Sequence, residues 1–337
     1  MYKKILIAFI FMTALFFPMA NSFSEELAID NVTRPEKDKG PTKVEVELYV
    51  LDIDNVDTAM QNFDMNLFFR IGWHDPRLAG LNKEKVNMPL EKIWHPHLQF
   101  INQQRVWYTF DKNVDIYPSG DVIYSQRLWG SFSQPLELRD FPFDKQTFNA
   151  ILVPAGYNSD EVQLVSGGKD ISGIASRFSV ADWEILGWST GPWDPQMPGR
   201  RANNNAYAMT IEAQRHANFF VLQLIVPLIF IVMMAWTVFW IDPQQSGTQI
   251  MVSVTAMLTL IAFRFTAGVT LPRFDYLTRL DYFILASTIQ VFASLVEVIT
   301  SSWLARRNKL ALARRLDKIS RWVFPISFAI LAYITLF

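Results

Sequence analysis

The 337-residue chain has no cysteine. Disulfides are therefore excluded, and so is any mechanism built on a cysteine nucleophile. There is no HExxH, no Gly-rich phosphate loop and no GxSxG, and scattered Ser, His and Asp make no triad without geometry, which argues against an enzyme. Charge is scarce as well: Asp, Glu, Lys and Arg make up 19% of the chain and balance to a net −1. That balance leaves no basic footprint for nucleic acid. Histidine occurs only four times, there is no internal repeat, and nothing calls for a cofactor or a resident metal.

What is abundant is apolar. Hydrophobic residues reach 50% and aromatics 14%, with 11 Trp and 27 Phe, which fits large packed surfaces or a lipid interface. The length allows two domains. Lys3 and Lys4 precede an apolar run over 5–17, and Ala20-Asn21-Ser22 offers small residues for cleavage. Residues 1–22 therefore read as a secretory signal, too short to span about 30 Å of hydrocarbon. The domain that follows is expected outside the membrane, held together by packing alone.

The rest divides near Arg215. Residues 23–217 are mixed, with period-two alternation such as Val44, Val46, Leu48 and Val50 against Glu45, Glu47 and Tyr49. Further strand-like runs cover 63–73, 105–110, 122–128, 148–153, 182–188 and 207–214, separated by turn signals such as Pro118-Ser119-Gly120-Asp121. This predicts an all-β, immunoglobulin-like sandwich. Residues 218–337 hold four apolar runs, about 219–241, 247–271, 282–304 and 319–337, each long enough to cross a bilayer as a helix. Arg306, Arg307, Lys309, Arg314, Arg315 and Lys318 lie between the third and fourth runs, opposed only by Asp317. The positive-inside rule makes that link cytoplasmic and puts the β domain outside.

The second run carries hydroxyls and amides that a mere anchor does not need. Steps of four and three from Met251 pass through Thr255, Leu258, Ala262, Phe265 and Val269, one helical stripe. Hydroxyl and apolar rings in alternation suit a narrow aqueous path that gates by dewetting. The same Ser and Thr would equally suit a buried helix bonding to its own backbone or to its neighbours. Arg264 lies about 100° off the stripe and is read as snorkelling outward or pairing between helices.

Several motifs stand in register with this topology. They are Trp73 to Leu78 in "WHDPRL", Trp94, Pro96 and Asn102 in "IWHPHLQFIN", "GSFS" at 130–133 and "FPFDKQ" at 141–146. Arg215 follows just before the first apolar run, Pro227 lies inside it, and Leu271-Pro272-Arg273 closes the second. In this order the chain, from about Val44 onward, resembles the pentameric ligand-gated ion channels, the Cys-loop receptor superfamily, and most of all its prokaryotic branch. The family's paired cysteines would fall at Gln134 and Phe148. Their absence and the short link 305–318 are the features that resemble the prokaryotic members.

The resemblance implies a homopentamer with the second helices around a central pore. Met251, Thr255, Leu258, Ala262, Phe265 and Val269 would then line that pore, with Leu258 as the gate. Asp242, Thr248 and Gln249 would stand at the inner mouth. Neither the family's inner Glu nor its Pro-Ala-Arg cluster is present, so a ring of Asp242 leaves monovalent cations as the expected permeant ions and anions as the alternative. Asp242 paired with the basic link is the other reading of that residue. Coupling between domains would use Asp57, Asp144, Arg215, Pro272 and Arg273. Phe68, Tyr157, Trp188 and Trp193 are the ligand-pocket candidates, for a small molecule such as an amine. Protons are the other candidate stimulus, through His74, His95, His97, His216 or the clusters Asp52-Asp54-Asp57 and Asp111-Asp115. Partners are membrane lipids and sister subunits, in a bacterial inner membrane with the β domain in the periplasm. A membrane-anchored binding receptor without a pore is the rival reading.

Overall fold

The computed structural model describes residues 31–167, 172–193, 206–270 and 275–336. The signal-peptide reading of 1–22, Pro272 and Arg273 lie outside these described residues.

The chain after Pro41 alternates apolar and polar side chains, and this alternation builds two facing sheets. The larger orders its strands β10-β1-β2-β7-β6-β3, with β5 on β7 and β9 on β1. Its long strands are β1 (Thr42–Asp57), β2 (Asn62–His74) and β7 (Asp121–Ser133). The shorter ones are β3 (Val86–Pro89), β5 (Gln103–Tyr108), β6 (Asn113–Ile116), β9 (Val162–Ser166) and β10 (Gly173–Ile174). The smaller sheet orders β11 (Trp183–Trp193), β12 (Ala206–Arg215), β8 (Lys145–Pro154) and β4 (Leu98–Phe100). Inward residues of both sheets meet in one core. Phe148 packs 5.1 Å from Phe63 and 5.3 Å from Trp183, ring centre to ring centre, and Phe63 stacks on Phe132 at 5.7 Å. Full burial of each such ring contributes about 1.5–3 kcal/mol.

The motifs resolve into packing devices. The Asp75 carboxylate is fully buried and takes Arg77 through Nε at 2.8 Å and Nη2 at 2.7 Å. Asn102 donates to the Asn149 carbonyl at 2.6 Å and accepts from the Ile151 N–H at 3.3 Å, pinning β8. A Cβ on Gly130 would sit 2.0 Å from the Arg105 carbonyl oxygen, so only glycine lets β5 lie against β7.

The two cysteine positions of the resemblance carry a different clasp. Phe148 is fully buried. Gln134 accepts from the Asn149 N–H at 3.0 Å and from Asn149 Nδ2 at 3.1 Å, and its own amide donates to the Thr147 carbonyl. Amide hydrogen bonds close the loop at the positions where the resemblance would put a covalent bond.

Four helices follow the sandwich. They are α1 (Asn218–Trp240), α2 (Ser246–Thr270), α3 (Arg279–Arg306) and α4 (Leu310–Leu336), all long and apolar enough to cross a membrane. The first is not uniform: a π-helical turn at Val221–Ile225 precedes Pro227, and a 3₁₀ turn at Thr237–Trp240 ends it. Thr278 and Asp281 form a capping box at the start of α3. The fourth helix begins nine residues earlier than the apolar run at 319 suggests. Arg314, Arg315 and Lys318 are therefore helical, not part of a loop. Charge alone marked that segment as a link, but Leu, Ala, Arg and Lys are strong helix formers.

Candidate ion path and domain coupling site

The second helix turns two different faces outward and inward. Ser253, Ala256, Leu260 and Ala267 are buried against the other helices, whereas Met251 is 69% exposed, Leu258 61% and Phe265 76%. Thr255 and Ala262 are exposed on the same stripe. Nothing is described of the Val269 side chain. From Met251 to Phe265 the stripe rises about 21 Å at 1.5 Å per residue. Three threonine hydroxyls on this helix are satisfied locally: Thr255 donates to the Met251 carbonyl at 2.9 Å, Thr259 to Thr255 at 2.8 Å and Thr266 to Ala262 at 3.2 Å. The stripe is thus more apolar than its composition suggests. Arg264 is exposed.

The inner-mouth candidates separate. Thr248 is exposed. Gln249 is 1% exposed and donates inward to the carbonyls of Val238 at 3.3 Å and Ile241 at 3.0 Å. Its side chain does not share the exposed face, because one step of the helix carries it about 100° from Thr248. Asp242 caps the 3₁₀ turn Pro243–Gln245 through the Gln244 N–H at 3.0 Å and pairs with Arg314 Nη2 at 2.8 Å. The Gln244 N–H, and then Arg314, hold its carboxyl below the usual carboxylate range. Of the two readings of Asp242, the pair with the basic segment is the one the structure contains.

The joint between sandwich and helices is built around Arg215, the last residue of β12. Its Nε lies 2.8 Å from Asp144 Oδ1 and its Nη2 3.2 Å from Asp144 Oδ2, with both side chains almost wholly buried. Gln146 Nε2 donates to Asp144 Oδ2 at 2.9 Å. The guanidinium lies 4.3 Å from the Trp183 ring centre and 5.1 Å from that of Phe141. A charge removed from water is tolerable only with this many partners. Asp57, by contrast, caps the β1–β2 turn by accepting from the N–H groups of Ala59 and Met60, both at 2.9 Å. It makes no contact with the helices among the described interactions.

Sequence reasoning missed further joint residues. Tyr276 Oη accepts from the Leu138 N–H at 3.0 Å. Arg279 Nε pairs with Asp140 Oδ1 at 2.8 Å, and the Arg279 N–H donates to the Arg139 carbonyl at 2.9 Å. Phe141 packs edge-on against Phe220 of α1 at 4.7 Å. The segment 136–143 thus touches α1 and the start of α3 together. Its only sequence signal was its place within "FPFD" and the residues before it.

The four ligand candidates do not converge within one subunit. Phe68 lines an open groove of about 600 Å³ on the outer face of the large sheet, with Arg70, Asp115, Tyr117, Asp121 and Ser125. Tyr157 is tied inward, accepting from Trp94 Nε1 at 2.9 Å and facing the His97 ring. Trp188 borders a separate groove beside Phe178 and Leu186. Trp193 is exposed at the end of β11. Among the histidines, burial, aided by His97 and Lys112, pushes His95 down to about 4. His74 pairs with Asp121 at 2.8 Å in a second groove that Glu45, Glu47 and Arg70 also line.

A β-sandwich with a buried ion pair at its base, joined to four apolar helices through Tyr276, Arg279 and Phe220, is the architecture of an integral membrane protein with an extracellular domain. The family model described as the neurotransmitter-gated ion-channel ligand binding domain matches residues 21–211, and that described as the neurotransmitter-gated ion-channel transmembrane region matches residues 224–311. The chain belongs to the neurotransmitter-gated ion-channel family, in agreement with the Cys-loop resemblance of its motifs; this is a family of channels, not of enzymes. It is 26% identical over 311 residues to the gamma-aminobutyric acid receptor subunit rho-3 of Homo sapiens, covering 87% of this chain and 64% of that protein. It is 26% identical over 305 residues to the pH-sensitive chloride channel 2 of Anopheles gambiae, covering 83% and 49%. The chain therefore spans about half to two thirds of the length of these relatives.

Proposed function

We propose that the chain assembles as a homopentameric ion channel opened by an extracellular stimulus, with Leu258 at the gate. The observation that carries this reading is the exposed stripe of Met251, Thr255, Leu258, Ala262 and Phe265 on a helix whose other face is buried in its own subunit. Five such stripes facing one axis would enclose a path that is dry at its apolar rings when narrow. The Asp144–Arg215 clasp would transmit motion of the sandwich to α1. Planar-bilayer recording of the purified protein tests it. Discrete agonist-dependent currents are expected, and binding without any conductance would favour the anchored receptor.

For the permeant ion, the expectation of cations rested on Asp242, and the Arg314 pair removes its support. Arg306, Arg307, Lys309, Arg315 and Lys318 are all exposed at the same end. A relative is named a chloride channel. Anion permeation is the better-supported reading, since basic groups raise the local anion concentration at a pore mouth. Reversal potentials in asymmetric chloride decide it.

For the stimulus, the Phe68 groove offers an aromatic face, a cationic Arg70 and the carboxylates of Asp115 and Asp121. That lining suits a small molecule bearing both an ammonium and a carboxylate, in keeping with the relative named for gamma-aminobutyric acid. Protons are the second reading, favoured by the relative named pH-sensitive and by Asp54, which burial, with Asp52 beside it, raises above the usual carboxylate range against the Trp129 N–H. Currents recorded against gamma-aminobutyric acid, simple amines and external pH steps separate the two. The bacterial setting rests on the missing cysteines and the short link after α3 alone, because both relatives are animal proteins.

A further inference from the structure

Behind the ion path, the cytoplasmic ends of the helices enclose polar groups that permeation does not use. Gln249 and Ser253, one turn apart on α2, are each 1% exposed. On α3 the corresponding pair is Glu297 and Ser301, and on α4 it is Asp317 and Ser320. Asp317 is 1% exposed, accepting from Ser301 Oγ at 2.6 Å through Oδ1 and from Gln249 Nε2 at 3.3 Å through Oδ2. Glu297 lies beside Asp317 and Ser320. Yet neither Glu297 oxygen has a hydrogen-bond partner of normal geometry, and Gln249 Oε1 has none either. The two Glu297 oxygens beside Asp317, and Gln249 Oε1 on the neighbouring α2, are thus buried acceptors without a well-formed hydrogen bond, a costly arrangement in a water-poor site.

The surrounding charges do not relieve it. From α4 come Asp317 and Arg321; α3 contributes Glu297; α2 contributes only the neutral Gln249 and Ser253. The end of α1 offers carbonyls and Trp240, and Asp242 in the next link is held by Arg314. Arg321 spends its Nε–H on the Phe239 carbonyl at 2.8 Å and lies over the Trp240 ring at 5.6 Å. Two neighbouring carboxylates with one donor-poor amide call for a proton, which turns an acceptor into a donor.

We propose that Glu297 and Asp317 form a proton-binding site, holding one proton between them and carried by Glu297, through which cytoplasmic pH acts on the ion path. Asp317 already receives two hydrogen bonds that suit its anion, whereas Glu297 has only Ser320 beside it and no bond of normal geometry. The proton supplies the missing bond from Glu297 to Asp317 or to Gln249 Oε1. Gln249 sits on the ion-path helix and Asp317 on α4, so loss of the proton loosens the tie between them. The basic segment Arg306–Lys318 places this end at the cytoplasm.

The regulatory half of this inference rests on the channel reading, while the proton site itself does not. Infrared spectroscopy of the full chain in liposomes should show a carboxylic C=O band at neutral pH that fades as pH rises and is missing in Glu297→Gln. In inside-out patches, stepping the bath pH should change wild-type open probability several-fold, and Glu297→Gln should conduct without that response. No such band at neutral pH, or a band that persists in the variant, overturns the site. A Glu297→Gln channel that keeps the full response, or a wild type with none, overturns the regulation. If the protein carries no current, the infrared result still decides the site, and the channel reading fails separately. If Glu297→Gln does not fold, the presence and titration of the wild-type band decide alone.

Discussion

Arg215 Nε and Asp144 Oδ1 stand 2.8 Å apart where the sandwich meets the first membrane helix, sealed from water between the Trp183 and Phe141 rings. Removing one partner leaves the other buried and charged. Arg215→Ala or Asp144→Ala should therefore destabilise the fold by about 3–5 kcal/mol and abolish agonist-evoked current. Thermal unfolding of the purified variants and whole-cell recording check both effects, and normal currents from either would remove this pair from gating.

Gln134 closes the loop that runs to Phe148 through hydrogen bonds to Asn149 and Thr147. Gln134→Ala should cost about 1–3 kcal/mol, because the Asn149 donors and the Thr147 carbonyl lose their partner. A denaturant titration of the purified protein measures it. An unchanged midpoint would mean that the buried Phe148 cluster holds the loop unaided.

Asp140, the residue before "FPFD", pairs with Arg279 of α3 at 2.8 Å as the outer contact of this joint, with much of each side chain in solvent. Asp140→Arg alone should shift agonist sensitivity by a few-fold, in line with about 0.2–1 kcal/mol for an exposed pair. The double reversal Asp140→Arg with Arg279→Asp should recover most of it. A concentration–response series on the three variants gives the coupling directly.

Leu258 is the central apolar residue of the exposed stripe. If Leu258 forms the gate as proposed, Leu258→Ser should wet its ring and give current without agonist. Baseline leak in liposome flux measures this, and a tight channel with unchanged opening would place the gate elsewhere.

His95 titrates near 4 in the folded protein because of burial first, then His97 and Lys112. The unfolded chain binds a proton at about 6.5. Its contribution to stability is therefore complete above about pH 6.5 and is lost as pH falls through about 4. Thermal midpoints of the wild type should drop across that window more steeply than those of His95→Gln.

Much of the architecture was legible from local pattern. Alternation at Val44–Val50 marked β1, whose partner β2 matched the run 63–73. The short strands β3, β6, β9 and β10 escaped notice, because two to five residues carry too little periodicity to stand out. The start of α4 was misplaced for a related reason: charge marks a segment as polar, not as irregular. The site was legible by residue type more than by arrangement. The stripe through Leu258 follows from the helical step alone. That Gln249 turns away from that stripe, that Asp242 meets Arg314 and that Asp57 is a turn cap all required knowing what lies beside them.

Composition and periodicity by themselves determined two domains, one of alternating strands and one of membrane-length helices, together with the direction of the chain across the bilayer. These depend on which neighbours along the chain share a face. The tertiary structure alone decided that segment 136–143 reaches both α1 and Arg279, that Gln134 bonds to Asn149 and Thr147, and that Gln249 and Asp317 meet behind the exposed stripe of α2. Those outcomes depend on groups 13 to 140 residues apart competing for the few hydrogen bonds a buried site allows.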